Sequence, residues 1–155
     1  MTHETDQPAE RVDGSPDPVR LVALVDEPLD VEAVRSSVSD PASGGVCVFV
    51  GAVRDHDGGR GVRGLGYSAH PTALEQMRVL ARSVADRHDA RAVAVVHRVG
   101  DLAVGELAVV AAVATGHRGE AFEACRALID ELKATVPIWK HQLFSDGTDE
   151  WVGTP

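Results

Sequence analysis

Two apolar runs lie close together in the second half of the chain, "AVAVVHRV" (Ala92 to Val99) and "ELAVVAAVAT" (Glu106 to Thr115), with a Gly100-Asp101 turn region between them. Both are rich in β-branched residues and bounded by turn formers, so they read as strands and as neighbours in one sheet. The rest of the fold must be arranged around that sheet. "VRLVALV" (Val19 to Val25) supplies another strand, and Asp30 is placed to N-cap a short helix that ends near Asp40-Pro41. "GGVCVFVGAV" (Gly44 to Val53) is a continuous apolar run, short and branched enough to be a buried strand.

"RDHDGGRGVRG" follows as a turn-rich loop and "VRGLGYSA" as a returning strand. Leu74, Met77, Ala81 and Val84 then recur at helical spacing from Pro71-Thr72 to about Asp89. A second amphipathic helix starts near Glu120, with Phe122, Cys125, Ile129 and Leu132 expected on one face, and Val136-Pro137 ends it. "IWKHQLF" and "EWVG" flank "SDGTD" as a terminal hairpin. Mixed strands and helices with short returns predict an α+β fold with a largely antiparallel sheet covered by helices.

At 155 residues this fits one domain, expected over residues 19–155, which buries roughly two thirds of the surface of its unfolded chain. Aromatic residues are only 4%, so the core must be mostly Val, Ala and Leu. Residues 1–18 are acidic, carry several prolines and offer little to bury; a disordered arm is expected there. That arm holds no signal-like apolar run, and no later segment is long and apolar enough to span a bilayer, so a cytoplasmic location is expected. A formal net charge of −9 argues against nucleic acid or anionic membranes as partners, and makes any anion site a local exception. Cys47 and Cys125 lack C-x-x-C spacing and sit among apolar residues, which reads as buried thiols.

Three groups of residues are candidates for chemistry. Lys133 and Lys140 bracket the end of the last helix. A cation in a last helical turn complements the helix dipole, which alone accounts for Lys133. Strand alternation puts Lys140 on the face of Ile138 and Gln142, away from Trp139 and His141, and that face either meets solvent or lines a cleft. Gly116, His117 and Arg118 lie between a strand and a helix, where free backbone N–H groups suit an anion, although a solvated loop explains them as well. Arg54, Arg60 and Arg63 surround three glycines in a loop that is either a phosphate cradle or a hairpin turn; it lacks the Walker and dinucleotide patterns. Asp55 to Asp57 with His56 between them are adjacent residues, which rarely converge on one metal ion. Convergence of Arg54, His117, Arg118, Lys133 and Lys140 would make a site for a small anion.

Taken in order, "FVGAVRDHD", "VVHRVGDLAVGE", "GHRGEAFEACR", "LKATVPIWK" and "DGTDEWVG" closely resemble the large, catalytic subunit of molybdopterin synthase. The resemblance runs from about Val19 to Gly153 and implies the α/β-hammerhead-like fold of that subunit. It implies conversion of cyclic pyranopterin monophosphate to molybdopterin, with sulfur arriving as a thiocarboxylate on the C-terminal Gly-Gly of a small ubiquitin-like carrier. No cofactor and no catalytic cysteine are then required. Lys133 and Lys140 fall on the family's two active-site lysines, with Lys133 expected to act chemically and Lys140 to position the tail. Arg54, His117 and Arg118 fall on pterin-phosphate ligands. The resemblance further implies a homodimer, with residues shared across its interface, inside a heterotetramer.

His97-Arg98 also match, and strand placement favours packing or pairing for them. Gln142 departs from the pattern, standing where many relatives carry an acidic residue, and "RDHD" replaces a more Asn-rich loop. A lost carboxylate at 142 would alter how Lys140 is held. A non-catalytic pterin- or phosphate-binding assembly protein on the same fold is the alternative; a phosphotransferase lacks any nucleotide loop.

Overall fold

In the computed structural model, which describes residues 16–153, β5 (Ala92–Arg98) and β7 (Leu107–Thr115) pair antiparallel from Ala92↔Ala114 to His97↔Val109. β1 (Val19–Val25) runs parallel to β5 on one side, and β2 (Gly45–Ala52) runs antiparallel to β7 on the other. The order is β1-β5-β7-β2. Alternation sorts the two central strands onto two faces. Val93, Val95, Val109, Ala111 and Val113 meet α2 (Ala73–Arg87) and α3 (Arg118–Thr135), while Ala92, Ala94, Val96, Val110, Ala112 and Ala114 meet the short α1 (Val31–Ser37). Helices on both faces explain why these two strands are apolar at nearly every position. Asp30 caps α1 as expected, its Oδ1 accepting from the Ala33 N–H at 3.1 Å.

A second sheet joins β3 (His56–Asp57), β4 (Arg60–Ala69), β8 (Ile138–Phe144) and β9 (Asp149–Val152) in that order, with β6 (Gly100–Ala103) also paired to β4. A small core of Val53, Leu65, Leu102 and Ala108 ties it to the first sheet. Apart from β1 with β5, the strand pairs are antiparallel, so the α+β expectation holds.

Three local expectations are corrected. The Gly44–Val53 run is an edge strand instead of a buried one: among the described residues β2 has a neighbour on one side only, and Val46, Phe49 and Val50 remain 50%, 37% and 39% exposed. Phe122 is exposed, because α3 turns Ala121, Ala124, Cys125 and Leu128 inward and leaves position 122 on its outer face. Two stretches expected as turns contain the short strands β3 and β6. Of the expected N-terminal arm, residues 1–15 lie outside the described residues. Within Pro16 to Pro18, Asp17 is buried; it accepts from the Val19 N–H at 2.9 Å and from Arg82 at 2.8 Å. Among the described residues no helix is long and apolar enough to cross a membrane.

Candidate functional site

The corner between α3 and β8 positions both lysines. Lys133 sits in the last turn of α3, and Val136, extended at φ −81 and ψ 127, stops the helix before Pro137. The chain reverses at once into β8, with the Ile138 N–H bonded to the Val136 carbonyl at 2.8 Å. Alternation along β8 then turns Ile138, Lys140 and Gln142 into a cleft of about 540 Å³, which Lys133 also lines. Trp139 and His141 point the other way, Trp139 towards His70 and His141 stacked on Trp151 at 4.4 Å. Of the two orientations open for Lys140, the structure selects the cleft.

Opposite the lysines lies the end of β2 and the loop after it, which brings Arg54 to the same cleft. Arg54 Nη2 lies 3.5 Å from Asp57 Oδ1, and Asp57 Oδ2 accepts from Gln142 Nε2 at 2.7 Å. A carboxylate therefore stands beside the lysine strand, supplied by the loop. The bond from Gln142, then the charges of Lys140, Arg54 and His56, hold the Asp57 carboxyl below the usual carboxylate range. Gly58 and Gly59, at φ +57 and +79, close the β3–β4 hairpin, and Arg60 packs over the Phe144 ring at 3.7 Å. The loop is thus a hairpin turn that aims one arginine at the cleft.

His97 and Tyr67 also line the cleft, and neither was singled out as a site residue from the sequence. The rings meet edge to face at 4.8 Å. Burial, and secondarily the charge of Lys133, lower the His97 pKa against the opposing pull of the Arg98 carbonyl. Burial raises that of Tyr67. The expectation of packing and pairing for His97-Arg98 also holds, since His97 is buried and Arg98 pairs with Glu106. A conventional strand pattern hid the cleft role: a lone histidine at the end of an apolar strand carries no signal of what it faces.

His117 and Arg118 are not in this cleft. They are exposed at the start of α3, beside the first residue of β2, where a Cβ on Gly45 would come within 2.9 Å of the Arg118 Cα. β2 separates that corner from the Arg54 end, roughly 25 Å at about 3.4 Å per residue. One chain alone does not bring them to Arg54. Cys125 is buried and Cys47 is half-buried, a correction to the reading of two buried thiols. Burial, together with the adjacent Cys47, pushes the Cys125 thiol up to about 12.

Fold and cleft together define an α+β protein with a cleft lined by the cations Arg54, Lys133 and Lys140. The sequence matches the family described as "MoaE protein" over residues 24–135, and the chain belongs to that family, the molybdopterin synthase catalytic subunits. It is 45% identical to molybdopterin synthase catalytic subunit 1 of Mycobacterium tuberculosis over 84% of this chain and 88% of the relative. It is 37% identical to the molybdopterin synthase catalytic subunit of Pyrococcus abyssi over 84% and 90%. Among solved structures, molybdopterin synthase from Staphylococcus aureus superposes with a TM-score of 0.80 at 30% identity, covering 86% of this chain and 97% of that one. A complex of subunits 1 and 2 of molybdopterin-converting factor from Helicobacter pylori shares the fold, with a TM-score of 0.67 at 21% identity over 85% and 88%.

Proposed function

We propose that this chain is the sulfur-transferring subunit of molybdopterin synthase, taking sulfur from the C-terminal thiocarboxylate of a small ubiquitin-like carrier to cyclic pyranopterin monophosphate. The observation that carries this reading is the convergence of Lys133, Lys140 and Arg54 on one cleft in a protein of net charge −9. Both reactants are anions, and three cations in an otherwise acidic surface select for them. Arg54 offers a planar fork to the phosphate. Lys140, on the more enclosed strand, guides the carrier's terminal thiocarboxylate. Lys133, beside the neutral His97 ring, takes the chemical role, as a proton carrier or as an amine that attacks a substrate carbon.

The sulfur nucleophile comes with the carrier, so no protein thiol is needed. Cys125, its thiolate strongly disfavoured, is poorly suited to supply one. Each sulfur delivered leaves the carrier's terminal glycine as a carboxylate once water has hydrolysed the acyl group. Free thiols fit a reducing, cytoplasmic setting.

His117 and Arg118 enter this reading through a second copy. β2 is an exposed edge with Val46, Phe49 and Val50 on it. Antiparallel pairing of β2 with its own copy about a two-fold axis would set the Gly45 end of one chain against the Ala52 end of the other. The partner's His117 and Arg118 would then approach Arg54 and complete the phosphate site. With a carrier docked at each cleft, the assembly is a heterotetramer around a homodimer.

The discriminating experiment is Lys133→Ala in the reconstituted complex, with pterin binding measured separately by calorimetry. Lost sulfur transfer with retained pterin binding supports the enzyme. Unchanged transfer contradicts the role of Lys133, and pterin binding without transfer in the wild-type complex favours a non-catalytic binding protein.

A further inference from the structure

Gln142 is a polar side chain only 3% exposed, on a strand that turns its other alternate residues, Ile138 and Lys140, into the cleft. A buried primary amide needs an acceptor. The one it uses is 85 positions away in the chain: Gln142 Nε2 donates to Asp57 Oδ2 at 2.7 Å. The second oxygen of the same carboxylate, Oδ1, faces Arg54 Nη2 at 3.5 Å. Asp57 thereby bridges two elements that both carry site cations, the loop with Arg54 and the strand with Lys140.

We infer that Asp57 is a positioning residue for sulfur transfer: anchored by buried Gln142, its carboxylate holds Arg54 and Lys140 in register across the cleft. The inference rests on the reading of those two cations given above. Without the anchor, Asp57 would sit on a two-residue strand next to two glycines and have little to fix it. With it, one carboxylate oxygen is committed to the amide and the other is left for the arginine. An anionic reactant entering the cleft then competes with Asp57 for cations already in place, so removing the Asp57 charge should not weaken reactant binding. It should misplace the cations during turnover.

The test is steady-state dithiolene formation by the full reconstituted complex with wild type, Asp57→Asn, Gln142→Glu and the exchange Asp57→Asn/Gln142→Glu. Asparagine keeps the shape and one acceptor oxygen for Gln142, removes the charge, and turns the oxygen that faces Arg54 into an N–H donor. The expected result is a fall in kcat of about tenfold for Asp57→Asn with no rise in KM for the pterin, and a similar fall for Gln142→Glu, which opposes two carboxylates. The exchange restores one amide and one carboxylate with their ends reversed, and should recover kcat to within about threefold of wild type, a non-additivity that independent structural effects do not produce.

Wild-type kcat in Asp57→Asn overturns the inference, as does an exchange variant that melts like wild type but is no better than either single change. Should the exchange at buried position 142 unfold the chain, Asp57→Asn alone decides, since it lies on a surface hairpin. An inactive wild-type complex removes the proposed function and this role together; an active wild type with an indifferent Asp57→Asn removes only the role.

Discussion

His97 donates from Nδ1 to the carbonyl oxygen of Arg98 at 2.7 Å, which fixes the tautomer and leaves the Nε2 lone pair free in the ring that faces Tyr67 and feels Lys133. This imidazole is buried and its pKa lies below its ordinary 6.5, so the folded state binds its proton later than the unfolded chain does. In the interval between the two values the unfolded chain carries more protons, and stability therefore rises with pH. The contribution is fully present above about pH 6.5 and is lost as pH falls through the folded value. Urea midpoints measured from about pH 7.5 down to pH 5 should decline, and His97→Phe, which keeps a ring against Tyr67, should flatten that part of the decline. Equal pH slopes in the two proteins would contradict the lowered pKa.

Lys133 is exposed and Lys140 half-buried, so neither removal should unfold the chain. Lys133→Ala should lower kcat by about 100-fold or more, while Lys140→Ala should mainly raise KM for the thiocarboxylated carrier, by about tenfold. Steady-state kinetics with carrier and pterin varied separately distinguishes these. The reverse pattern would exchange the roles assigned to the two lysines.

Cys47→Ala/Cys125→Ala should retain sulfur transfer at a stability cost of about 1–3 kcal/mol from the space left beneath α3. In the native protein the Cys125 thiol, pushed up to about 12, should resist alkylation at neutral pH and react only after unfolding. A folded double variant with no turnover would show that a protein thiol takes part.

If His117 and Arg118 act across a dimer, Arg54→Ala and His117→Ala/Arg118→Ala should each be inactive as pure proteins and active when unfolded together and refolded as a mixture. A random mixture makes about half of the dimers mixed, each with one intact site, for about a quarter of wild-type activity. Val50→Asp on the exposed edge of β2 should weaken the dimer in sedimentation. No recovery on mixing, in proteins shown to exchange subunits, would place His117 and Arg118 outside the site.

Much of the fold was legible because its central strands obey simple rules. The nearly continuous apolar runs of β5 and β7 mark strands of a covered sheet, and Asp30 and Pro137 mark where helices begin and end. The edge position of β2 was not legible, since an apolar edge strand reads like a buried one until its neighbours are known. Phe122 was assigned inward for a related reason: Ala121 and Ala124 are weak apolar signals, yet they form the buried stripe of α3. At the site, the lysine pair stood out through the resemblance of "LKATVPIWK" to the family, since the pattern alone left Lys133 to the helix dipole and Lys140 between solvent and cleft. Asp57 and His97 did not, because their roles depend on partners 85 residues away in one case and on ring contact across strands in the other.

The central claim is sulfur transfer in the cleft between α3, β8 and the Arg54 loop. Its most direct test combines the purified chain, cyclic pyranopterin monophosphate and a thiocarboxylated carrier, and reads the pterin product by mass spectrometry. The expected result is a dithiolene-bearing pterin that forms only when all three are present, together with carrier returned as the carboxylate. Intact pterin and unspent thiocarboxylate, despite verified binding of both to the protein, would contradict the claim.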